Sequence, residues 1–298
     1  MRTGFIGLGA MGVPMARRLS AAGVLAGIFN RTRERAEQFA REVECEAPAS
    51  VAELARSSDC IVLCLPADED VLHQVAAIAA SMRPGGLVID CSTVSAETAR
   101  TAFGQLQAAG IGFLDCPVSG GTEGAKNGAL AIMVGGSETD FSRALPILGA
   151  MGTKITHMGP SGAGQATKAI NQVMVAGVAQ TVSEAMAFAH AEGLPIDKVV
   201  STLGGGAASN WFLAHRGETM VAGEYPLGFK VSLHRKDLEI CRAMAARHGA
   251  SLPMVEMTLL HYRRLIDDGH ADSDISSLYT LKQQLFAAEE TTAAANDD

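Results

Sequence analysis

Short apolar runs alternate with amphipathic stretches over the first half of the chain. The runs read TGFIG, LAGIFN, DCIVLCLP, GLVIDCS and IGFLDCPV, and each has the length and composition of a buried strand. Between them lie AMGVPMARRLSAAG, TRERAEQFAREV, DEDVLHQVAAIAASM and SAETARTAFGQLQAAG, each able to form a helix of about three to four turns. Strands alternating with helices predict βαβ units and a mostly parallel sheet with helices on both faces. Right-handed crossovers make such a sheet doubly wound, with its strand C-termini pointing toward one crevice. Further short strands are expected around LAIMVGG and KITHMG.

After Gly162 the period changes. From Ala163 to Ala191 there is no proline and the apolar spacing is helical, which predicts one helix of about 28 residues, roughly 40 Å long. The remainder, to about Phe286, reads as helices broken by GLP, LGGGAASN and GEYPLG. The predicted organisation is a nucleotide-binding α/β domain over 1–162 and an all-helical domain over 163–298. In the second, 163–191 is the connecting helix and about 287–298 is a small-residued polar tail, expected to fray.

Composition narrows the partners. With 48% hydrophobic and 19% charged residues, 298 residues can bury a substantial core. A net charge of −8 argues against a nucleic-acid surface, which is largely a matter of basic patches. No run of about 18 apolar residues exists, so no membrane span is expected. The chain passes straight from Met1 into a strand without the features of a signal peptide, which places it in the cytoplasm. The six cysteines form no CxxC pair, and Cys60 and Cys64 fall on one face of a buried strand as reduced core thiols. The eight histidines show no metal-ligand spacing, so no metal is expected. The thirteen methionines read as core filler.

Candidate chemistry begins at Gly7, Gly9 and Gly12, a GxGxxG between a strand and a helix-compatible run. In that context Gly7 permits a tight turn, Gly9 lets a pyrophosphate approach the backbone, and Gly12 lets helix and strand pack closely. The helix N-terminus then offers amides to the phosphates. The pattern predicts a Rossmann-type dinucleotide site lined by Gly7, Leu8, Gly9, Ala10, Met11 and Gly12, with Leu65 and Pro66 after the third strand. An NAD site would carry an acid about 20 residues on, to accept from the ribose 2′-hydroxyl. Here FNRTRER puts Asn30 at that place, followed by Arg31 and Thr32. Arg31 can pair bidentately with a 2′-phosphate and Thr32 can donate to it. NADP(H) is therefore preferred over NAD(H), with NAD(H) possible.

Five segments in order, GFIGLGAMGVPMARRL, DCSTVSAET, DCPVSGGTEGAKNGALAIMVGG, GPSGAGQATKAINQ and FKVSLHRKDLEI, resemble the β-hydroxyacid dehydrogenase family. That family includes 3-hydroxyisobutyrate dehydrogenase, tartronate semialdehyde reductase and glyoxylate/succinic semialdehyde reductase. The match spans all but the polar tail. It implies hydride transfer between a nicotinamide cofactor and the C3 hydroxyl or aldehyde of a small carboxylic acid. It also implies a homodimer or homotetramer assembled through the helical domain.

The resemblance makes Lys168 the catalytic lysine. Chemistry supports the role, because aldehyde reduction leaves negative charge on an oxygen that a nearby cation can stabilise and protonate. Burial beside a cofactor lowers a lysine pKa toward the working range, and the neighbours of Lys168 are small or apolar rather than charged. Asn171 and Gln172 lie one turn further along the same face. Many members carry asparagine at the second of these places, so which of the two orients the substrate stays open. Ser119, Gly120 and Gly121 are expected in a loop after a strand, as a carboxylate-sized anion site. By resemblance Thr93 contacts the nicotinamide ribose region, and Lys236 contacts cofactor or substrate. Asp237 supports the catalytic site and Phe229 closes over the substrate. An imine reductase would usually lack the lysine, a silent binding module would have lost the lysine or the glycine loop, and a phosphosugar-acid dehydrogenase would need a longer helical domain. Glyoxylate and the succinic, methylmalonate and tartronate semialdehydes all stay open as substrates.

Overall fold

The computed structural model describes residues 1–287; the predicted frayed tail lies outside them from residue 288 on. The chain divides into two compact units, Met1–Lys168 and the part from Ala169 onward.

The first unit holds β1 (Thr3–Ile6), α1 (Gly12–Ala21), β2 (Leu25–Phe29), α2 (Arg33–Val43), α3 (Val51–Ser57), β3 (Cys60–Leu63) and α4 (Asp68–Ala79). It continues with β4 (Leu87–Asp90), α5 (Ala96–Ala108), β5 (Gly112–Asp115), β6 (Val118–Ser119), α6 (Gly121–Asn127), β7 (Leu130–Gly135), α7 (Glu138–Met151) and β8 (Gly152–Gly159). One eight-stranded sheet runs β2-β1-β3-β4-β5-β7-β6, with β8 also paired to β7. Strands β1 to β5 are parallel as expected. Beyond them β7 runs antiparallel to β5 and β6, and β8 parallel to β7.

Strands β1, β3 and β4 are buried at every position, which is why they read as continuous apolar runs. Their alternation still shows in what each face packs against. Cys60, Val62, Leu87 and Ile89 join one core with Met15 and Leu19 of α1. Ile61, Leu63 and Val88 join the other with Val71, Val75 and Ile78 of α4 and Leu106 of α5. The four- and three-residue spacing of the α4 set is the stripe a helix lays on a sheet.

Helices α3, α6 and α7 fall where apolar spacing predicted none. Helix α3 begins with a reciprocal cap. The Ser50 side chain accepts from Glu53 N at 3.2 Å, and the Glu53 carboxylate accepts from Ala49 N at 2.9 Å. Helix α6 corrects the expected loop after β5. Ser119 ends a strand, Gly120 takes φ +130°, and Gly121 opens the helix at φ +62°.

The second unit is all-helical among the described residues. Helix α8 (Ala163–Ala191) has 29 residues and runs through the division between the units. After it come α9 (Ile196–Gly204), α10 (Trp211–Val221), α11 (Val231–Ala246), α12 (Pro253–Asp267), a 3-10 turn (Ile275–Ser277) and α13 (Leu278–Ala287). The breaks before α9, α10 and α11 coincide with GLP, LGGGAASN and GEYPLG read from the sequence; those after α11 and α12 were not predicted. Met186, Val200, Leu238, Tyr262, Leu278 and Tyr279 form its core. No helix among the described residues is long and apolar enough to cross a membrane.

All six cysteines are free thiols. Burial pushes Cys45 up to about 11 and Cys64 up to about 12, and it raises Cys60, Cys91 and Cys116 as well.

Candidate active site

The three glycines answer to different constraints. Gly7 has φ +102°, and a Cβ there would sit 2.2 Å from the Cys64 carbonyl oxygen. A Cβ on Gly12 would sit 1.9 Å from the Gly7 carbonyl oxygen. The fold itself forbids a side chain at both. Gly9 is exposed, and a Cβ there would meet nothing within 4 Å, so nothing in the protein accounts for its bareness. Helix α1 starts beside it with no side-chain cap at Met11 and no acid in its first turn. Bare amides at a helix N-terminus, next to a glycine with open space, fit a dinucleotide pyrophosphate.

Leu8 is buried, and its N–H donates to Asn30 Oδ1 at 3.0 Å. Asn30 Nδ2 donates to the Thr32 carbonyl at 3.1 Å. Both ends of this amide therefore serve the protein, joining the glycine loop to the turn after β2. Arg31 and Thr32 are exposed, and the Thr32 side chain does not cap α2 although Thr32 occupies the N-cap. Arg33 pairs with Glu37 at 2.7 Å along α2. Arg31 has no ion pair or hydrogen bond among the described residues.

Leu65 lies against the glycine loop, since a Cβ on Gly7 would approach its Cδ2 to 3.2 Å. Pro66 beside it is exposed. The Leu65 N–H donates to Ser92 Oγ at 2.8 Å, and the Ser92 N–H donates to Asp90 Oδ1 at 3.0 Å. Thr93, next in line, is half-buried. Asp90 and Asp115 end neighbouring strands β4 and β5 in register. Burial raises the Asp90 carboxyl to about 6; hydrogen bonds from Ser92 oppose the rise, and the charges of Asp115 and Asp68 add to it. Burial also raises Asp115, against N–H groups from the start of α8. Of these Asp115 Oδ1 accepts from Gly162 N at 2.7 Å and Oδ2 from Gln165 N at 2.9 Å. Sequence reasoning missed Asp90, Ser92, Asp115 and Gln165. The repeated Asp-Cys closing VIDCS and FLDCP was the available clue, because a carboxylate ending a fully apolar strand needs donors.

Lys168 is only 8% exposed on α8. Ser119 is half-buried in β6 opposite Ala131, with no side-chain hydrogen bond among the described residues. Gly121 has open space where a Cβ would stand.

In the second unit four predicted residues come together. Asn171 Nδ2 donates to Gln172 Oε1 at 2.8 Å, and Gln172 Nε2 donates to Asp237 Oδ2 at 2.7 Å. Lys236 Nζ lies 2.9 Å from Asp237 Oδ1. Gln172 and Asp237 are buried and Asn171 is half-buried. Phe229 packs on His234, ring centroids 5.2 Å apart, and His234 Nδ1 meets the Tyr262 hydroxyl at 2.8 Å. Asp274 fixes the Phe229 backbone, accepting from its N–H at 2.9 Å. No group of three His, Cys, Asp or Glu side chains among the described residues is placed to hold a metal ion.

Comparison with known proteins covers both units. Residues 2–159 match the NAD binding domain of 6-phosphogluconate dehydrogenase, and residues 162–282 match the family described as NAD-binding of NADP-dependent 3-hydroxyisobutyrate dehydrogenase. The chain is 34% identical to a 2-hydroxy-3-oxopropionate reductase of Escherichia coli, over 93% of this chain and 96% of that protein. It is 33% identical to an NAD-dependent L-serine dehydrogenase of Pseudomonas aeruginosa, with 93% and 96% covered. A structure of Mycobacterium tuberculosis 3-hydroxyisobutyrate dehydrogenase with L-serine matches at a TM-score of 0.84 and 32% identity, over 94% of this chain and 98% of that one.

Proposed function

The chain belongs to the β-hydroxyacid dehydrogenase family as an NAD(P)-binding oxidoreductase, and from that premise we propose that it interconverts a small 3-hydroxy acid and its semialdehyde with NADP(H). The observation that carries this reading is Lys168, a buried amine on α8 in the same unit as the glycine loop. A bound nicotinamide dinucleotide would supply or accept the hydride. In reduction the Lys168 ammonium donates a proton to the aldehyde oxygen as negative charge develops there, and in oxidation the amine takes the hydroxyl proton.

The other residues bind and orient. Ser119 and the backbone at Gly120 and Gly121 hold the substrate carboxylate. Asn171 orients the substrate, since its carbonyl oxygen accepts no hydrogen bond among the described residues, whereas both ends of the Gln172 amide are engaged. Gln172 and Asp237 hold Asn171 in place, with Lys236 balancing the Asp237 charge. Phe229 covers the substrate. Gly7, Leu8, Gly9, Ala10, Met11 and Gly12 seat the pyrophosphate, flanked by Leu65, Pro66 and Thr93. Asn30 supports that loop from behind, and Arg31 and Thr32 meet the 2′-phosphate. We assign the chain to the cytoplasm, as a homodimer or homotetramer; light scattering that returns a clean monomer at micromolar protein would refute that assembly.

The test is NADPH oxidation, with NADH in parallel, against glyoxylate and the C3 and C4 semialdehydes, with L-serine and 3-hydroxyisobutyrate for the reverse direction. The expected result is turnover of one of these with NADPH preferred. Lys168→Ala should cut turnover about 100-fold or more, the scale of a lost general acid, with NADPH affinity nearly intact. Arg31→Ala should weaken NADPH much more than NADH. Undiminished turnover in the first variant removes Lys168 from the chemistry, and equal loss of both cofactors in the second removes the 2′-phosphate contact.

A further inference from the structure

We propose that Gln165 is a positioning residue that fastens the loop bearing Thr93 to the start of helix α8, and so fixes where Lys168 stands relative to that loop. The inference rests on the roles given above to Thr93 and Lys168. Its grounds are a single buried amide, 1% exposed, that reaches both sides of one residue. Gln165 Nε2 donates to the Ser92 carbonyl at 2.8 Å, and Gln165 Oε1 accepts from the Val94 N–H at 3.2 Å. These two backbone groups flank Thr93, so the side chain pairs with the loop as a neighbouring strand would.

The helix side of the fastening is equally specific. The Gln165 N–H donates to Asp115 Oδ2, and the Gly162 N–H donates to Asp115 Oδ1, which pins the first turn of α8 to the end of β5. A Cβ on Gly164 would stand 2.5 Å from the Asp115 carbonyl oxygen and 2.4 Å from that of Met133. The helix start is therefore seated directly on sheet backbone. Among residues 162–167 only Gln165 and Thr167 have polar side chains, and the Thr167 hydroxyl donates back to the Ala163 carbonyl at 2.8 Å. Of these two, Gln165 is the one that reaches the loop. Lys168 follows it by three residues, on the same face of the helix. Ser92 is also held from the sheet side, through Asp90 and Leu65, and the Ser95 N–H donates to Asp68 Oδ1 of α4 at 2.9 Å. Of these bonds, the two from Gln165 tie the loop to the helix carrying the lysine.

The consequence is kinetic. Loosening the fastening should leave dinucleotide affinity intact but misplace the proton donor relative to the reacting carbon, and a misplacement on the order of 1 Å can cost about 100-fold in rate. Gln165→Met keeps length and removes both polar ends; Gln165→Asn keeps an amide that is one methylene short. Each is measured on the full chain with the panel compound that the wild type turns over fastest, using NADPH and NADPH deuterated at C4, beside thermal melts and NADPH titrations.

The expected result for Gln165→Met is a fall in kcat of about 10- to 100-fold. NADPH Kd and substrate KM should stay within about two-fold, and the deuterium isotope effect on kcat should rise as hydride transfer becomes limiting. Gln165→Asn should show the same pattern to a smaller degree, and it carries the test if Gln165→Met does not fold. Wild-type kcat and isotope effect in folded variants, or a loss confined to NADPH Kd, would overturn the proposal. Lys168→Ala in the same series separates the failures. Full turnover there overturns the role of the lysine, whereas loss there with intact kcat in the Gln165 variants overturns only the fastening.

Discussion

Gly9 and Gly12 make opposite demands on a substitution. An alanine Cβ at Gly12 would overlap the Gly7 carbonyl oxygen, whereas one at Gly9 would meet no protein atom. Gly12→Ala should therefore destabilise the fold by about 1–3 kcal/mol or more through forced backbone movement, while Gly9→Ala should melt close to wild type and weaken dinucleotide binding. Thermal melts with and without NADPH check this, and a Gly9→Ala variant that binds NADPH as wild type does would remove that glycine from the phosphate site. The motif was legible in the sequence, but the division of labour within it was not, because it depends on which backbone lies within 2–3 Å of each Cα. Asn30 shows the same limit. Its position was read from spacing to β2, yet its two hydrogen bonds to Leu8 and Thr32 exist only once the loops are folded. Gln172 and Asp237 are 65 residues apart, and their bond has no local trace.

Elements were legible where burial imposed one pattern over several residues. Strands β1 to β5 announced themselves as apolar runs, and α8 as a long helical period bounded by Gly162 and the GLP break. Helix α3, at seven residues, is too short for its period to show, although its cap from Ser50 to Glu53 was written in the sequence. The reversal of β7 leaves no mark in periodicity, since a strand reads alike in either direction. The ends of β4 and β5 carry a further consequence. The Asp90 carboxyl stands at about 6 in the folded chain against an ordinary value of 3.8, and Asp115 is raised as well. An acid raised by folding costs nothing while protonated in both states. Its cost grows as pH climbs from about 4 to about 6 and then stays constant, so stability should fall over that window. For Asp90 the cost at neutral pH is about 3 kcal/mol at most. Asp90→Asn keeps an acceptor for the Ser92 N–H and should flatten the fall; urea melts at pH 4.5 and pH 7 that change equally in both proteins would show that Asp90 does not cause it.

At the scale of the molecule, the chain is acidic, with a net charge of −8, and burial within each unit's own core decides which ionisable groups are perturbed. Its thiols follow the same rule. Four of the six are buried outright, and burial raises every shifted thiol, Cys45 to about 11 and Cys64 to about 12. Since the thiolate is the reactive form, the native chain at pH 7 should react only slowly with a thiol reagent and yield all six cysteines after unfolding in guanidinium. Rapid stoichiometric labelling of the native chain would contradict that. The practical value is for spectroscopy: a reporter cysteine placed on the exterior could take a fluorophore or spin label by itself, with all six native cysteines left in place.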